Sequence, residues 1–436
     1  MGSARVAVCS YNFSAKRPGV KQKSAPAHLF LLPIPIATGL WYGADPVTAP
    51  RLALWGSELS PYALKLRACL DAAHLPYAWL PADGGRLVNL RANWRVEWAK
   101  RTGAVERHPA LDPLDEYPLV PFLIEDDRRV HYDSSALARW IDARHPGSDG
   151  PLVPADPALA FAAQLVDEAF DEFGLYMVHH NRWVVSARTN DAGARLAREL
   201  RRVVPPGAGW IVERTFSQRQ VRRLPYLFSV APHGFSVGLR PALTPPSPPG
   251  FPPTHDLLAD AWTRCLAAVE AVLTRRPFLL GERFTLADAG VYGQLGMNLT
   301  DPTAADDIRT RASATFAWLE RIRDRGHVGC RGDVGLHGDL AGLFAFIGET
   351  FVPLMRQNAR AYADAVARGE RLFNERAFDA RRALYDGELL GRPFRSVAKT
   401  FQVRVWREVE AAWAALRADE RGRVGAVVGE AMSRGV

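Results

Sequence analysis

Short apolar runs separated by polar turns predict an open β-sheet with packed helices between residues 51 and 145. The order of elements is β-α-β followed by β-β-α, with a hairpin turn at the adjacent aspartates Asp126 and Asp127. The predicted strands are 51–55, 76–80, 118–125 and 128–132, and the predicted helices are 61–73 and the stretch that opens at Asp133. The connection 81–117 is long, and its pattern predicts a helix around 89–103.

The rest of the chain has mainly helical periodicity. The helices are predicted at 157–185, 254–275, 285–299, 306–325 and in several pieces of 337–420. Between 232 and 253 there are eight prolines, which exclude a continuous helix and predict a loop or surface lid.

These patterns divide the chain into four parts. They are a basic leader (1–50) expected to be disordered, an α/β part (51–147), an all-helical part (151–330) with the Pro-rich insertion 232–253, and a helical extension (331–436). The predicted fold class is therefore α+β, followed by an all-α domain and a further helical extension.

Charge changes this picture little. The formal net charge is +8, but residues 1–50 supply +4 of it, five basic residues against one aspartate. The remainder, spread over nearly 390 residues, gives no reason to expect a nucleic-acid partner. The apolar run 28–44 contains two prolines and is too short to span a bilayer, so no membrane partner is expected either. A protein tethered to a membrane by this run is the alternative.

Four scattered cysteines, with no pair at metal-binding or disulfide spacing, predict a reduced, cytoplasmic protein without a metal site.

Two serines lie between the first strand and the first helix. Ser60 precedes Pro61 and is placed to cap the helix, and Ser57 ends the strand. Neither serine has a histidine base or a cysteine near it in the sequence. Each hydroxyl is therefore read either as a helix cap or as a hydrogen-bond donor in a site.

A second group follows the third strand. A cis Val120–Pro121 bond would leave the backbone groups of Val120 free to pair with an extended peptide. Asp133 and Ser134 begin the next helix, where free N–H groups, the Ser134 hydroxyl and the helix dipole favour a carboxylate, while Asp133 could meet an ammonium. Together they complement a small peptide with a free amino-acid end, although Asp133 and Ser134 could also act only as a cap.

Three stretches in the right order resemble the glutathione transferase family. They are 60–77, beginning Ser-Pro-Tyr, 119–142 with its Val-Pro and Asp-Ser pairs, and 276–295, where Thr285 and Asp288 fit a capping box. The resemblance covers most of residues 51–325. It implies a thioredoxin-like glutathione-binding domain followed by an all-helical domain that shapes the acceptor pocket.

The resemblance also implies chemistry. Ser60 would be the catalytic residue, donating a hydrogen bond that stabilises the thiolate of the co-substrate glutathione, while Val120, Pro121, Asp133 and Ser134 bind it. That sulfur would attack a small apolar electrophile. The alternative is a non-catalytic binding or scaffold protein with the same fold. A homodimer is one assembly that the resemblance allows.

The substrate side is expected on the first helix of the helical domain. Tyr176, His180 and Trp183 lie on one helical face at i, i+4 and i+7. By the resemblance they would line the pocket, but an aromatic stripe at this spacing belongs more often to the core.

Overall fold

The computed structural model of the chain describes residues 52–107, 114, 119–145, 147, 149–238 and 243–428. The leader 1–50 lies outside the described residues.

A mixed sheet forms the centre of the first domain. Its strands lie in the order β2-β1-β4-β5-β3, with β1 parallel to β2, β4 antiparallel to β1 and β5, and β3 parallel to β5. The strands are β1 (Leu52–Trp55), β2 (Tyr77–Leu80), β3 (Val105–Glu106), β4 (Phe122–Glu125) and β5 (Arg129–His131).

Helices cover both faces of this sheet. They are α1 (Pro61–Ala72), α2 (Arg86–Thr102) and α3 (Ser134–Arg144). Leu52 and Leu54 of β1 point into the large core shared with α1 and α3, whereas Ala53 and Trp55 pack with residues of α2. The side chains of β1 therefore alternate between two apolar layers, which explains why this strand is apolar throughout.

The helical domain begins with a long helix interrupted by two π-helical turns. It consists of α4 (Pro157–Ala169), a π turn (Phe170–Gly174), α5 (Leu175–His180) and a second π turn (Asn181–Val185). The elements that follow are α6 (Ala192–Glu199), a 3₁₀ turn (Leu200–Arg202), α7 (Gly209–Arg222), α8 (His255–Leu273), α9 (Leu286–Met297), a 3₁₀ turn (Asn298–Thr300), α10 (Pro302–Arg311) and α11 (Ser313–Arg323).

The predicted capping box at the start of α9 is confirmed. The Asp288 carboxylate accepts hydrogen bonds from the backbone N–H (2.9 Å) and hydroxyl (2.8 Å) of Thr285, and from the N–H of Leu279 (2.8 Å). Asp288 thereby ties the loop before α9 to the helix start, and α9 then packs against α1 and α4.

The extension is folded onto the same core. It contains a 3₁₀ turn (Gly338–Leu340), α12 (Ala341–Glu349), α13 (Phe351–Ala367), α14 (Glu375–Asp379), β6 (Leu384–Leu389), β7 (Arg392–Val397), α15 (Thr400–Ala415) and α16 (Ala418–Val428). The extension is mainly helical, as the sequence predicts, and it also contains an antiparallel hairpin of β6 and β7 that was not predicted. Its two-residue loop, Leu390 and Gly391, has positive φ at both positions, which suits the twist of paired strands.

Two predictions about elements need correction. Within the described part of the predicted strand 118–125, β4 begins at Phe122, because Pro121 has no N–H to give to a ladder. The range 306–325, predicted as one helix, is divided between two helices, α10 and α11, which are separated at Ala312. The helical hairpin of α6 and α7 was not predicted.

One described stretch, Gly338–Ala367, is long and apolar enough to cross a membrane, but 56% of its most apolar window is buried in the fold. That burial is typical of the core helices of a folded domain.

Candidate functional site

Ser60 caps α1 at the carboxyl end of β1. Its backbone is extended (φ −98°, ψ 118°), and its Oγ accepts a long hydrogen bond of 3.4 Å from the N–H of Ala63. No described residue accepts the hydroxyl hydrogen of Ser60. The second N–H of the helix, at Tyr62, has no carbonyl four residues back to bond. The mouth of α1 therefore presents two hydrogen-bond donors.

Ser57 lies in a different environment. Its Oγ accepts from the N–H of Leu59 (3.1 Å), and its hydroxyl faces the carboxyl group of Glu199 in α6. Burial raises the pKa of Glu199 despite this contact with Ser57, and its Oε1 also accepts from the N–H of Glu58 (3.2 Å). A carboxyl group beside Ser57 competes for its proton, so Ser60 is better placed than Ser57 to donate to an anion.

The loop that carries these serines is held from the helical domain by Arg182. Its Nη1 donates to the carbonyl of Leu59 and its Nη2 to the carbonyl of Met297, both at 2.9 Å. Its Nε lies 2.9 Å from both carboxylate oxygens of Asp301. Arg182 and Asp301 are buried, so the guanidinium fixes the loop immediately before Ser60.

Lys65, one turn into α1, is completely buried. Its Nζ lies 2.5 Å from Asp167 and 2.7 Å from both Asp171 and the hydroxyl of Ser135. Burial lowers its pKa, but Asp167 and Asp171 outweigh burial and raise it overall, so the ammonium stays charged. Two carboxylates neutralise this charge, and we therefore assign Lys65 to the domain interface and not to the site.

The Val120–Pro121 peptide bond is cis, as the sequence predicts. Val120 is half-buried and packs against the apolar layer between the sheet and α2. None of the described groups pairs with its N–H or its C=O. The edge at Val120 can therefore accept an extended peptide.

Asp133 begins α3 but is saturated by its own chain. Its Oδ1 accepts from the N–H groups of Ser135 (3.1 Å) and Ala136 (3.2 Å). Its Oδ2 accepts from Arg107 Nε (2.7 Å) and from Nη2 of Arg404 in α15 (3.3 Å). Burial would raise the pKa of Asp133, but Arg404 and Arg107 lower it, so the carboxylate is ionised with its acceptor positions filled.

Ser134 differs from its neighbour. It is buried at the first position of α3, and no described group shares a hydrogen bond with its hydroxyl. Of the predicted acid-serine pair, Ser134 retains hydrogen-bonding capacity for a ligand, and Asp133 does not.

The residues predicted to line the substrate side are all buried in this structure. The Tyr176 hydroxyl accepts from Lys399 Nζ and from Gln402 Nε2 (2.9 Å), and its ring stacks on Phe228 at 5.3 Å. His180 Nδ1 shares a hydrogen bond of 2.8 Å with Ser229, and Trp183 packs edge-on against Phe216 at 5.7 Å. The extension thus fills the space beside Tyr176, and the pocket role of Tyr176, His180 and Trp183 stays a prediction.

A pocket that the sequence did not predict opens beside the loop between β1 and α1. It has a volume of about 230 Å³ and lies between the β1–α1 loop, Ala82 and the α6 segment. Its lining residues are Glu58, Ala82, Arg195, Arg198, Glu199 and Arg201. Sequence reasoning missed this pocket, although arginines repeating every third residue at 195, 198 and 201 were a visible signal of one basic helix face.

Among the described residues, no group of three or more histidine, cysteine or acidic side chains is arranged to hold a metal ion.

Two family models match the chain. Residues 54–149 match the N-terminal domain of glutathione S-transferases, and residues 252–321 match their C-terminal domain. The chain carries both domains of the glutathione S-transferase family. The thioredoxin-like sheet and the helical domain are therefore those of this family, and α6, α7 and the extension lie outside the matched segments.

Several solved structures are similar to this chain at low identity. The β-etherase LigF from Sphingobium sp. strain SYK-6 is 18% identical, with 64% of this chain and 96% of that chain covered and a TM-score of 0.39. A glutathione S-transferase from Rhodospirillum rubrum F11 is 15% identical, with coverages of 62% and 87% and a TM-score of 0.34. CsGST63524 of Ceriporiopsis subvermispora, solved in complex with glutathione, is 17% identical, with coverages of 64% and 98% and a TM-score of 0.36.

No curated protein matches the chain. The family assignment rests on the two domain models and not on these structural likenesses.

Proposed function

We propose that this family member is a glutathione-dependent transferase in which Ser60 stabilises the thiolate of glutathione. The observation that carries the proposal is the difference between the two serines at the mouth of α1. A carboxyl group faces the Ser57 hydroxyl, whereas no described acceptor competes for the Ser60 proton.

The residues of the N-terminal domain fit glutathione in part. Val120 offers a backbone N–H and C=O that no described group engages, and Ser134 offers a hydroxyl at a helix start. Glutathione supplies the nucleophilic sulfur. Ser60 donates its hydroxyl hydrogen toward that sulfur, and the N-terminus of α1 adds positive potential, so that the thiol pKa falls from about 8.5 toward neutrality. A lower thiol pKa raises the fraction of the reactive anion at neutral pH.

The acceptor is proposed to be a small electrophile that enters by the pocket between Glu58 and Arg201. Its lining of three arginines and two glutamates favours an electrophile that carries polar groups over the purely apolar one that the sequence predicted. Conjugation, cleavage and isomerisation can all begin with attack of the same thiolate. The proposal therefore covers glutathione-dependent enzymes as a class and does not choose among these three reactions.

A second candidate is a glutathione S-transferase fold that binds a ligand without turnover. Two observations favour this candidate. Arg107 and Arg404 occupy the acceptor positions of Asp133, and Lys399 contacts Tyr176. Side chains of the protein thus already occupy both the predicted glutathione subsite and the predicted substrate subsite.

The titration of bound glutathione separates these candidates. We expect the ultraviolet absorbance of the thiolate to appear at lower pH with wild-type protein than in free glutathione. Ser60→Ala should abolish that shift, and Ser57→Ala should leave it largely intact. Glutathione retention with an unshifted thiol and no conjugation of an aryl halide would favour the non-catalytic candidate, and equal shifts in wild type and Ser60→Ala would contradict the role of Ser60.

A further inference from the structure

Four charged side chains meet where the extension crosses the start of α3. We name them the four-charge cluster: Arg107, Asp133, Arg404 and Glu408. Arg404 Nη1 lies 2.9 Å from both oxygens of Glu408, and Arg107 Nη2 lies 3.4 Å from one of them. Glu408 therefore holds one guanidinium with both of its oxygens and reaches the second.

The members of the cluster differ sharply in exposure. The side chains of Arg107 and Arg404 are 4% exposed and that of Asp133 is 8% exposed, whereas that of Glu408 is 34% exposed. A molecule that approaches from solvent meets the Glu408 carboxylate first, with the two guanidinium groups directly behind it.

The pairing of the two arginines explains why these positions suit a carboxylate. Within the described part, Arg107 and Arg404 both contact the carboxyl groups of Asp133 and Glu408, and Asp133 is already committed to its helix cap and to both arginines. Glu168 lies close enough to Arg404 to interact with it, but burial and the neighbouring Asp167 raise the pKa of Glu168 well above its ordinary value. Of the two carboxylates of the cluster, Glu408 is the more exposed to solvent, at 34% against 8% for Asp133.

The start of α3 supplies a further partner for an anion. Ser134, next to Asp133, has a hydroxyl that no described group engages, and it occupies the first helical position, where the N–H has no intrahelical acceptor. A carboxylate that took the place of Glu408 would meet two guanidinium groups close to a helix N-terminus.

Exchange at this point would not require α15 to leave the protein. Val403, Trp406 and Val409 are buried, and Asn358 bonds both the N–H (2.8 Å) and the C=O (2.9 Å) of Lys399 just before the helix. Only the side chain of Glu408 has to rotate toward solvent.

We propose that Glu408 is an internal competitor that occupies the place of the α-carboxylate of a γ-glutamyl ligand, so that the extension sets the affinity of the site. The proposal rests on the proposed function for the identity of the ligand. It makes glutathione binding an exchange of one carboxylate for another on Arg404 and Arg107.

The test uses S-methylglutathione, which has no thiol and therefore does not depend on Ser60. Its dissociation constant is measured calorimetrically for the full-length wild type, Glu408→Gln and the matched control Glu410→Gln. Glu410 lies two residues further along α15, where its charge acts on Arg356. We expect Glu408→Gln to bind about tenfold more tightly than wild type, since a charge-assisted hydrogen bond no longer has to be displaced, and Glu410→Gln to bind within about twofold of wild type.

An S-methyl analogue in which 4-aminobutyrate replaces the γ-glutamyl group lacks the α-carboxylate, and its affinity should not change between the proteins. Equal affinity of Glu408→Gln and wild type for S-methylglutathione, including no measurable binding by either, would overturn the proposal, as would an equal gain with the analogue. Glu408→Ala serves as the second variant, and thermal melting checks that each protein is folded. If Glu408→Gln shows no gain in affinity, the role of Ser60 is still tested independently by the titration of the glutathione thiol.

Discussion

Gly293 of α9 faces the carbonyl oxygen of Pro61 with no room for a side chain. A β-carbon at position 293 would lie 2.7 Å from that oxygen and 2.8 Å from the β-carbon of Lys65. Helix α9, which begins with the capping box, therefore contacts the first turn of α1 through Gly293. Ser60 caps that same turn of α1. The two domains are joined directly beneath the candidate site.

Gly293→Ala should separate α1 from α9. The obstructing atoms belong to the backbone and to a buried lysine, so neither can move freely, and we expect a loss of about 3 kcal/mol in the free energy of unfolding. Denaturant unfolding measures it. Gly342→Ala in α12 is the matched control, because a β-carbon there meets nothing within 4 Å, and this variant should be neutral or slightly stabilised. Similar losses in both variants would show that steric contact with α1 is not the cause.

Arg182 offers a second test of how the helical domain holds the site loop. Arg182→Met leaves Asp301 buried at 1% exposure without its cation, so we expect a loss of about 4 kcal/mol. A double-mutant cycle with Asp301→Asn measures the coupling, which should exceed about 1 kcal/mol. Additive losses would mean that Arg182 acts mainly through the carbonyls of Leu59 and Met297.

The elements around the site were predictable wherever their signals are local. Short apolar runs predicted the strands β1 and β2, a serine before Pro61 predicted the start of α1, and Thr285 with Asp288 predicted the capping box. Each of these signals acts within a few residues, so the sequence contains all that is needed to recognise it. The hairpin of β6 and β7 was missed because its strands are only partly buried and lie between helical patterns.

The charges of the site could not be predicted in the same way. Arg404 reaches Asp133 across 271 positions, and Glu408 reaches Arg107 across 301. No local pattern shows which of the 55 basic residues in the chain will meet a given carboxylate. The helix-cap reading of Asp133, which depends on adjacent residues, was available from the sequence, but its saturation by the extension was not.

Thr285→Ala should weaken the capping box without creating a large cavity. The variant removes a hydroxyl that donates to Asp288 at 2.8 Å in a buried position, and we expect a loss of about 1–2 kcal/mol by denaturant unfolding. Thr285→Ser keeps the hydroxyl and should recover most of that loss. A serine variant as unstable as the alanine variant would assign the effect to the lost methyl group.

His327 gives the stability of the fold a specific pH dependence. Its side chain is 2% exposed, its Nε2 lies 3.1 Å from the carbonyl of Ala68 in α1, and its ring packs on Phe284 at 4.7 Å. Burial lowers the pKa of His327 to about 4. The unfolded chain binds a proton there below about pH 6.5 and the folded chain only below about 4, so this histidine contributes stability above pH 6.5 that is lost as the pH falls toward 4.

At pH 5 the loss from His327 amounts to about 2 kcal/mol relative to pH 7. Buried acids such as Asp288, whose pKa burial raises to about 6, act in the opposite sense, so the informative quantity is the difference between variant and wild type. His327→Gln can still donate to the Ala68 carbonyl but cannot be protonated. Its deficit in the free energy of unfolding should therefore shrink by about 2 kcal/mol between pH 7 and pH 5. The exposed His233→Gln controls for loss of an imidazole and should follow wild type at both pH values. A deficit for His327→Gln that is the same at both pH values would show that the ring is protonated equally in the folded and unfolded chains.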